Sequence, residues 1–208
     1  MVTNYYNSKG EKTTKEKFVA EQGQFLQHRE EQYQKKLNEI KSQIPNDITE
    51  KEKAAFLYHY LVNYLNYDYE VLERIDEQGN AGPVSHLFWN KWGLASHEKY
   101  APIILGRGSC YGIASAFYDL CLVLNINCQM IEGLTKEIPS KKVFLRHTWN
   151  VVEVDGELGH VDVTYGVLYR DKGFDKENFF FLDNNQLKDK GPHHNFDENK
   201  VAKSYRLR

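Results

Sequence analysis

The sequence predicts an α+β fold in which helices come first and an antiparallel sheet follows. Helical periodicity runs through residues 14–44 and 49–65 and returns from Ser109 or Cys110 to Leu124. Strand-like segments take over between Cys128 and Leu182. Between two of them stands Asp155-Gly156, which suits a two-residue type I′ hairpin. A chain of 208 residues fits one domain with an extra helical arm. The expected division is an arm at 1–45, a main domain at 46–190 and a polar tail at 191–208.

The first helix is expected from Phe18, Phe25, Leu26, Tyr33, Leu37, Ile40 and Ile44, which recur near helical spacing among Glu, Gln and Lys. Such a helix lies against the main body. Pro45-Asn46-Asp47 breaks it. Thr49 and Glu52 then offer a capping box for a second helix, with Ala54, Leu57, Tyr58, Leu61, Val62 and Leu65 on its buried side. That helix ends near Asn66-Tyr67-Asp68. Residues 76–106 read as irregular, punctuated by Gly79, Gly82, Pro83, Gly93, Pro102 and Gly106. They also carry Phe88, Trp89, Trp92 and Tyr100, which either roof a cleft beside Cys110 or patch a satellite core.

The third helix carries Ile113, Phe117, Leu120, Cys121 and Leu124 at steps of three and four, so one side is buried. Strands are expected at 128–132, 143–154 and 157–165, with a fourth at 178–182. After Lys188 the chain turns polar and is expected to trail off.

Composition excludes several classes. Apolar residues are 41% of the chain, enough for a core and too many for disorder. Basic and acidic residues number 27 and 29 without a long single-sign block, so nucleic acid and anionic membrane are poor partners. No stretch reaches the roughly 18 apolar residues of a membrane span. Residues 1–6 carry no basic-then-apolar leader, which leaves cytoplasmic and exported addresses both open. Cys110, Cys121 and Cys128 are an odd count, which argues for at least one free thiol. Neither C-x-x-C nor H-x-x-x-H spacing occurs, His193-His194 reads as an isolated tail pair, and no EF-hand-like loop is present. No metal and no cofactor are expected.

The chemistry-bearing residues are Cys110, His147 and Asp162. A cysteine at the first turn of a helix faces unpaired backbone N–H groups and the positive dipole end, which favour the thiolate. The same N–H groups can donate to an oxyanion. Ser109 can cap this helix, and Gly108 and Gly112 leave room for a substrate backbone. If Asp155-Gly156 is a two-residue loop, His147 falls opposite Thr164 and Trp149 opposite Asp162. His147 and Asp162 then become diagonal neighbours on one face, roughly 5–8 Å apart at Cβ. A thiol, an imidazole and a carboxylate so placed form a Cys-His-Asp triad.

Three segments together resemble the transglutaminase-like superfamily. They are Gly106-Arg107-Gly108-Ser109-Cys110-Tyr111-Gly112 with Ala114, then Arg146-His147-Thr148-Trp149-Asn150, then Val161-Asp162-Val163-Thr164-Tyr165-Gly166. They are similar to its G-x-C-x-G-x-A, H-x-W-N and D-x-T patterns, in the same order. Residues 125–133, 179–183 and 55–69 look like its flanking strand, late strand and preceding helix. The resemblance covers about residues 50–185. It implies a papain-like core, with the nucleophile helix packed on an antiparallel sheet. It also implies Cys110 as nucleophile, His147 as general base and acid, and Asp162 as orienter. Tyr100, with Trp89 and Trp92 behind it, is the oxyanion or cleft candidate. The activity implied is acyl transfer or hydrolysis on protein or peptide amides. The alternative is a catalytically idle binding or scaffold module of the same fold. Oligomeric state and acyl acceptor stay open.

Overall fold

The computed structural model describes residues 5–6, 11–69, 97–136, 144–175, 179–190, 192–199 and 201. Two short strands, β1 (Tyr5–Tyr6) and β2 (Lys12–Thr13), pair antiparallel ahead of the first helix. Helix α1 spans Lys15–Lys41, and the Thr14 side chain accepts from the Lys17 amide as its N-cap. Tyr33, Leu37, Ile40 and Ile44 are buried at the expected spacing. Full burial of an aliphatic side chain of this size contributes about 1.5–3 kcal/mol. The side chains of Phe18, Phe25 and Leu26 lie outside the described residues.

Helix α2 (Glu50–Tyr64) starts at the predicted capping box, with both halves formed between Thr49 and Glu52. It buries Ala54, Leu57, Tyr58, Leu61 and Val62. Strand β3 (Asn66–Tyr67) follows and pairs parallel with β4 (Arg107–Gly108). Between them α3 (Tyr100–Leu105) ends at Gly106, whose φ of +66° is the left-handed cap that glycine supplies at least cost. Residues 76–96, with Phe88, Trp89 and Trp92, lie outside the described residues.

Helix α4 (Cys110–Val123) buries Ile113, Phe117, Leu120 and Cys121. It packs on an antiparallel meander of β5 (Asn127–Lys136), β6 (Phe144–Val154) and β7 (Glu157–Val161). The hairpin register is the predicted one, with Val154 opposite Glu157 and Asn150 opposite Val161. Asp155 and Gly156 both have positive φ, as a type I′ turn demands. The fold is thus α+β, with the Cys110 helix laid on an antiparallel sheet.

The sequence-based expectation fails at the end of β7. Residues 163–165 are not strand, because α5 (Val163–Asp171) begins there. Asp162 is its N-cap, and its Oδ1 accepts from the Tyr165 amide at 3.0 Å. The helix start overrides the alternation of Val161-Asp162-Val163-Thr164-Tyr165. His147 therefore has no rung with Thr164, and the ladder stops one residue before Asp162. The fourth strand reduces to a single bridge from Leu182 to His160, since Phe181 turns the chain at a positive φ. A further helix, α6 (Asn184–Asp189), is capped by Asp183.

The chain does not trail off after Lys188. The Lys136 amide donates to the Pro192 carbonyl at 2.7 Å, and Leu134 and Asn195 exchange backbone hydrogen bonds at 2.9 and 2.7 Å. Unpaired backbone groups on the edge of β5 draw the segment in, whatever its side-chain polarity. Among the described residues no helix is long and apolar enough to cross a membrane.

Candidate functional site

Cys110 is the first residue of α4, and its position is fixed from both sides. The Asn66 and Asp68 amides donate to the Gly106 and Gly108 carbonyls at 2.8 and 2.9 Å. Asp68 and Arg107 also form an ion pair. Ser109 holds the N-cap position in extended backbone, without the side-chain cap bond expected of it. Gly108 serves packing, because a Cβ there would stand 2.6 Å from Pro102 Cγ. Cys110 is half-buried and its neighbour Tyr111 is 48% exposed, so this end of the helix meets solvent.

His147 lies on β6 and is 5% exposed. Its Nε2 contacts Asp162 Oδ2 at 2.6 Å. Cys110 lies within hydrogen-bonding and electrostatic reach of the same imidazole. The three predicted residues therefore meet. Burial alone would lower the His147 pKa, but the Asp162 carboxylate and the Cys110 thiol push it up to about 10. Burial would raise the Asp162 pKa, but the His147 charge and the hydrogen bonds from His147 and His194 hold it well below the usual carboxylate range. An imidazolium facing the Asp162 carboxylate is the state this geometry favours.

The residues around His147 account for the rest of its motif. Trp149 stacks on it with ring centroids 5.8 Å apart and planes 16° from parallel. The indole N–H donates to His160 Nδ1 at 2.9 Å, which fixes the stacking ring. Asn150 reaches the Ala114 carbonyl at 3.1 Å and so ties β6 to α4. The Tyr165 ring meets the His147 ring edge-on at 5.0 Å, and its hydroxyl bonds to Thr135 Oγ1 at 3.0 Å.

One site residue escaped the sequence reading. His194 Nε2 contacts the same Asp162 Oδ2 at 2.8 Å. Only the apolar Phe196 and Val201 beyond it hinted that this polar stretch is anchored. Atoms of His147, Asp162 and His194 that could ligate a metal lie within 4.8 Å of one another. At 2.6 and 2.8 Å, both nitrogen–oxygen contacts are hydrogen-bond lengths.

Tyr100 stands elsewhere in the fold. Its hydroxyl donates to Glu30 Oε2 of α1 at 2.7 Å, and Arg29 lies 4.0 Å over its ring. Trp89 and Trp92 lie outside the described residues.

No family model and no curated protein matches this sequence. Solved structures are similar in fold. A TGase crystal structure matches over 73% of this chain at 16% identity and a TM-score of 0.49. A crystal structure described as a candidate cysteine protease from Cytophaga hutchinsonii matches over 62% at 14% identity and a TM-score of 0.37. This chain spans about a third, 33%, of the length of each. The likeness is one of fold; the chemistry rests on the side chains described above.

Proposed function

We propose that this chain is a thiol enzyme acting on protein or peptide amides through Cys110, His147 and Asp162. The observation that supports this reading is the convergence of three groups from separate elements. A thiol at a helix N-terminus reaches an imidazole whose Nε2 is held at 2.6 Å by a buried carboxylate.

Cys110 Sγ attacks the amide carbonyl carbon, and a C–S bond forms as the carbonyl π pair moves to oxygen. The first-turn amides of α4 donate to that oxyanion. Its collapse breaks the C–N bond, and the leaving amine takes the His147 proton. Water or a second amine then attacks the thioester and gives a proton to His147. The C–S bond breaks, and the thiolate is regenerated beside imidazolium. Asp162 holds the imidazole in orientation and stabilises its charge throughout. Hydrolysis and crosslinking differ only in this second acceptor.

The test pairs two assays, release of amine from a peptide amide and incorporation of a fluorescent alkylamine into a glutamine-containing protein. Wild type is expected to turn over in at least one. Cys110→Ala should lose at least about 10³-fold. Full turnover by Cys110→Ala removes the thiol mechanism, and a wild type inert in both assays favours the idle module.

A further inference from the structure

Asp162 is acceptor to two imidazoles through one oxygen. His147 Nε2 lies 2.6 Å and His194 Nε2 2.8 Å from Oδ2, while Oδ1 takes the Tyr165 amide at 3.0 Å. The Asp162 and His194 side chains are both 0% exposed. A carboxylate on a β-carbon rotates about its last bond, so its aim depends on its acceptor contacts. The Tyr165 amide fixes one oxygen. His194 fixes the other from a direction His147 does not use.

The route by which His194 arrives is built for the purpose. The backbone bonds at Pro192 and Asn195 clamp the segment on either side of it to the edge of β5. Gly133 on that strand admits the segment, since a Cβ there would stand 2.7 Å from both the Asn195 carbonyl oxygen and Trp149 Cη2. The His194 ring is wedged edge-on against Trp149 at 5.0 Å and Tyr165 at 5.3 Å. Burial favours its neutral form. A neutral ring facing a carboxylate carries its one proton on the facing nitrogen. Nδ1 is buried with no partner at good hydrogen-bond geometry, although the Leu187 backbone lies close enough to favour a proton on the ring.

We propose that His194 is a positioning residue for Asp162: its Nε2–H holds the carboxylate at the angle from which Oδ2 serves His147. This rests on the thiol-enzyme reading above. It gives the segment after α6 a part in the site by way of Asp162.

Alkylation of Cys110 by iodoacetamide, followed by mass spectrometry from pH 5 to 10, tests it. Wild-type Cys110 should react faster at pH 6 than the same thiol in the urea-unfolded chain. His194→Phe keeps the ring volume and loses the donor; its rate at pH 6 should fall by about tenfold while its rate at pH 9 changes little. His194→Gln restores a donor near the Nε2 position and should recover most of the loss. Asp162→Asn and Asp162→Asn/His194→Phe should react alike, because His194 acts only through Asp162. An unchanged rate ratio in His194→Phe beside an accelerated wild type overturns the role of His194 alone. A wild type no faster than the unfolded chain overturns the thiol-enzyme reading and this role with it. Should His194→Phe not fold, long-range ¹H–¹⁵N correlation on the wild type decides, since a proton on Nδ1 of His194 contradicts the proposal and one on Nε2 supports it.

Discussion

At Asp162, local chemistry outranks backbone geometry. The sequence placed this residue on a strand face with His147, and the chain instead leaves the sheet one residue earlier. The two side chains still meet, because an N-cap carboxylate has two oxygens and only one is spent on the helix. The Cys-His-Asp set was legible because each residue type carries its own chemistry. The helix start was hidden by alternating Val-Asp-Val-Thr-Tyr, although Asp is itself a helix-capping type.

The depressed pKa of Asp162 makes a stability statement. Its ionised form is favoured by folding, so that contribution is present above the ordinary carboxylate range and fades as pH falls through the lower folded value. For His147 the sign is opposite. Its contribution is complete below about 6.5 and fades as pH rises toward about 10. Asp162→Asn should therefore cost up to about 3 kcal/mol near neutral pH and flatten both limbs of the curve. Urea unfolding from pH 3 to 10 measures this. The proton that His147 gives to the leaving amine disappears over the same alkaline range, so turnover should decline as pH approaches 10. The thiols also separate at this scale. Burial pushes the Cys121 thiol up and Cys128 is buried, so one equivalent of iodoacetamide should label the native chain at Cys110 only.

Between elements, close approach depends on absent side chains. Gly166 on α5 stands where a Cβ would come within 2.5 Å of the Tyr58 hydroxyl and 2.7 Å of Val62 Cγ2 on α2. Gly133 does the same between β5 and the returning segment. Alanine at either position should cost about 1–3 kcal/mol, read as a lowered melting temperature. Gly133→Ala should in addition slow Cys110 alkylation at pH 6, since it displaces the segment that carries His194; Gly166→Ala should not. Capping boxes and the Asp-Gly hairpin were legible because a few adjacent residues specify them. The return of residues 192–196 was not, since its attachment is backbone to backbone and leaves no pattern of side-chain types.

For the molecule as a whole, α1 is more than an appendage in its second half. Tyr33 is fully buried and donates to Asp119 Oδ2 on α4 at 3.0 Å. Lys99 pairs with the same carboxylate at 2.9 Å, and Arg29 pairs with Glu98 at 2.9 Å. The helix that carries Cys110 is thus held by α1 as well as by the sheet. Tyr33→Phe should lose about 1 kcal/mol, and more if the buried Asp119 is left with too few donors. Removal of residues 1–45 should expose the groove that Leu37 and Ile40 fill, read as a broadened melting transition.

The two-rung pairing of residues 66–67 with 107–108 reaches further than its size. It is a staple: the chain departs and comes back at the same spot, 39 residues apart at the Asp68–Arg107 ion pair. Lengthening a closed loop adds little entropic penalty, about 0.6 kcal/mol for each doubling. A change in the number of residues between the two rungs would therefore alter the cost of closing them only slightly, while the thiol keeps its address.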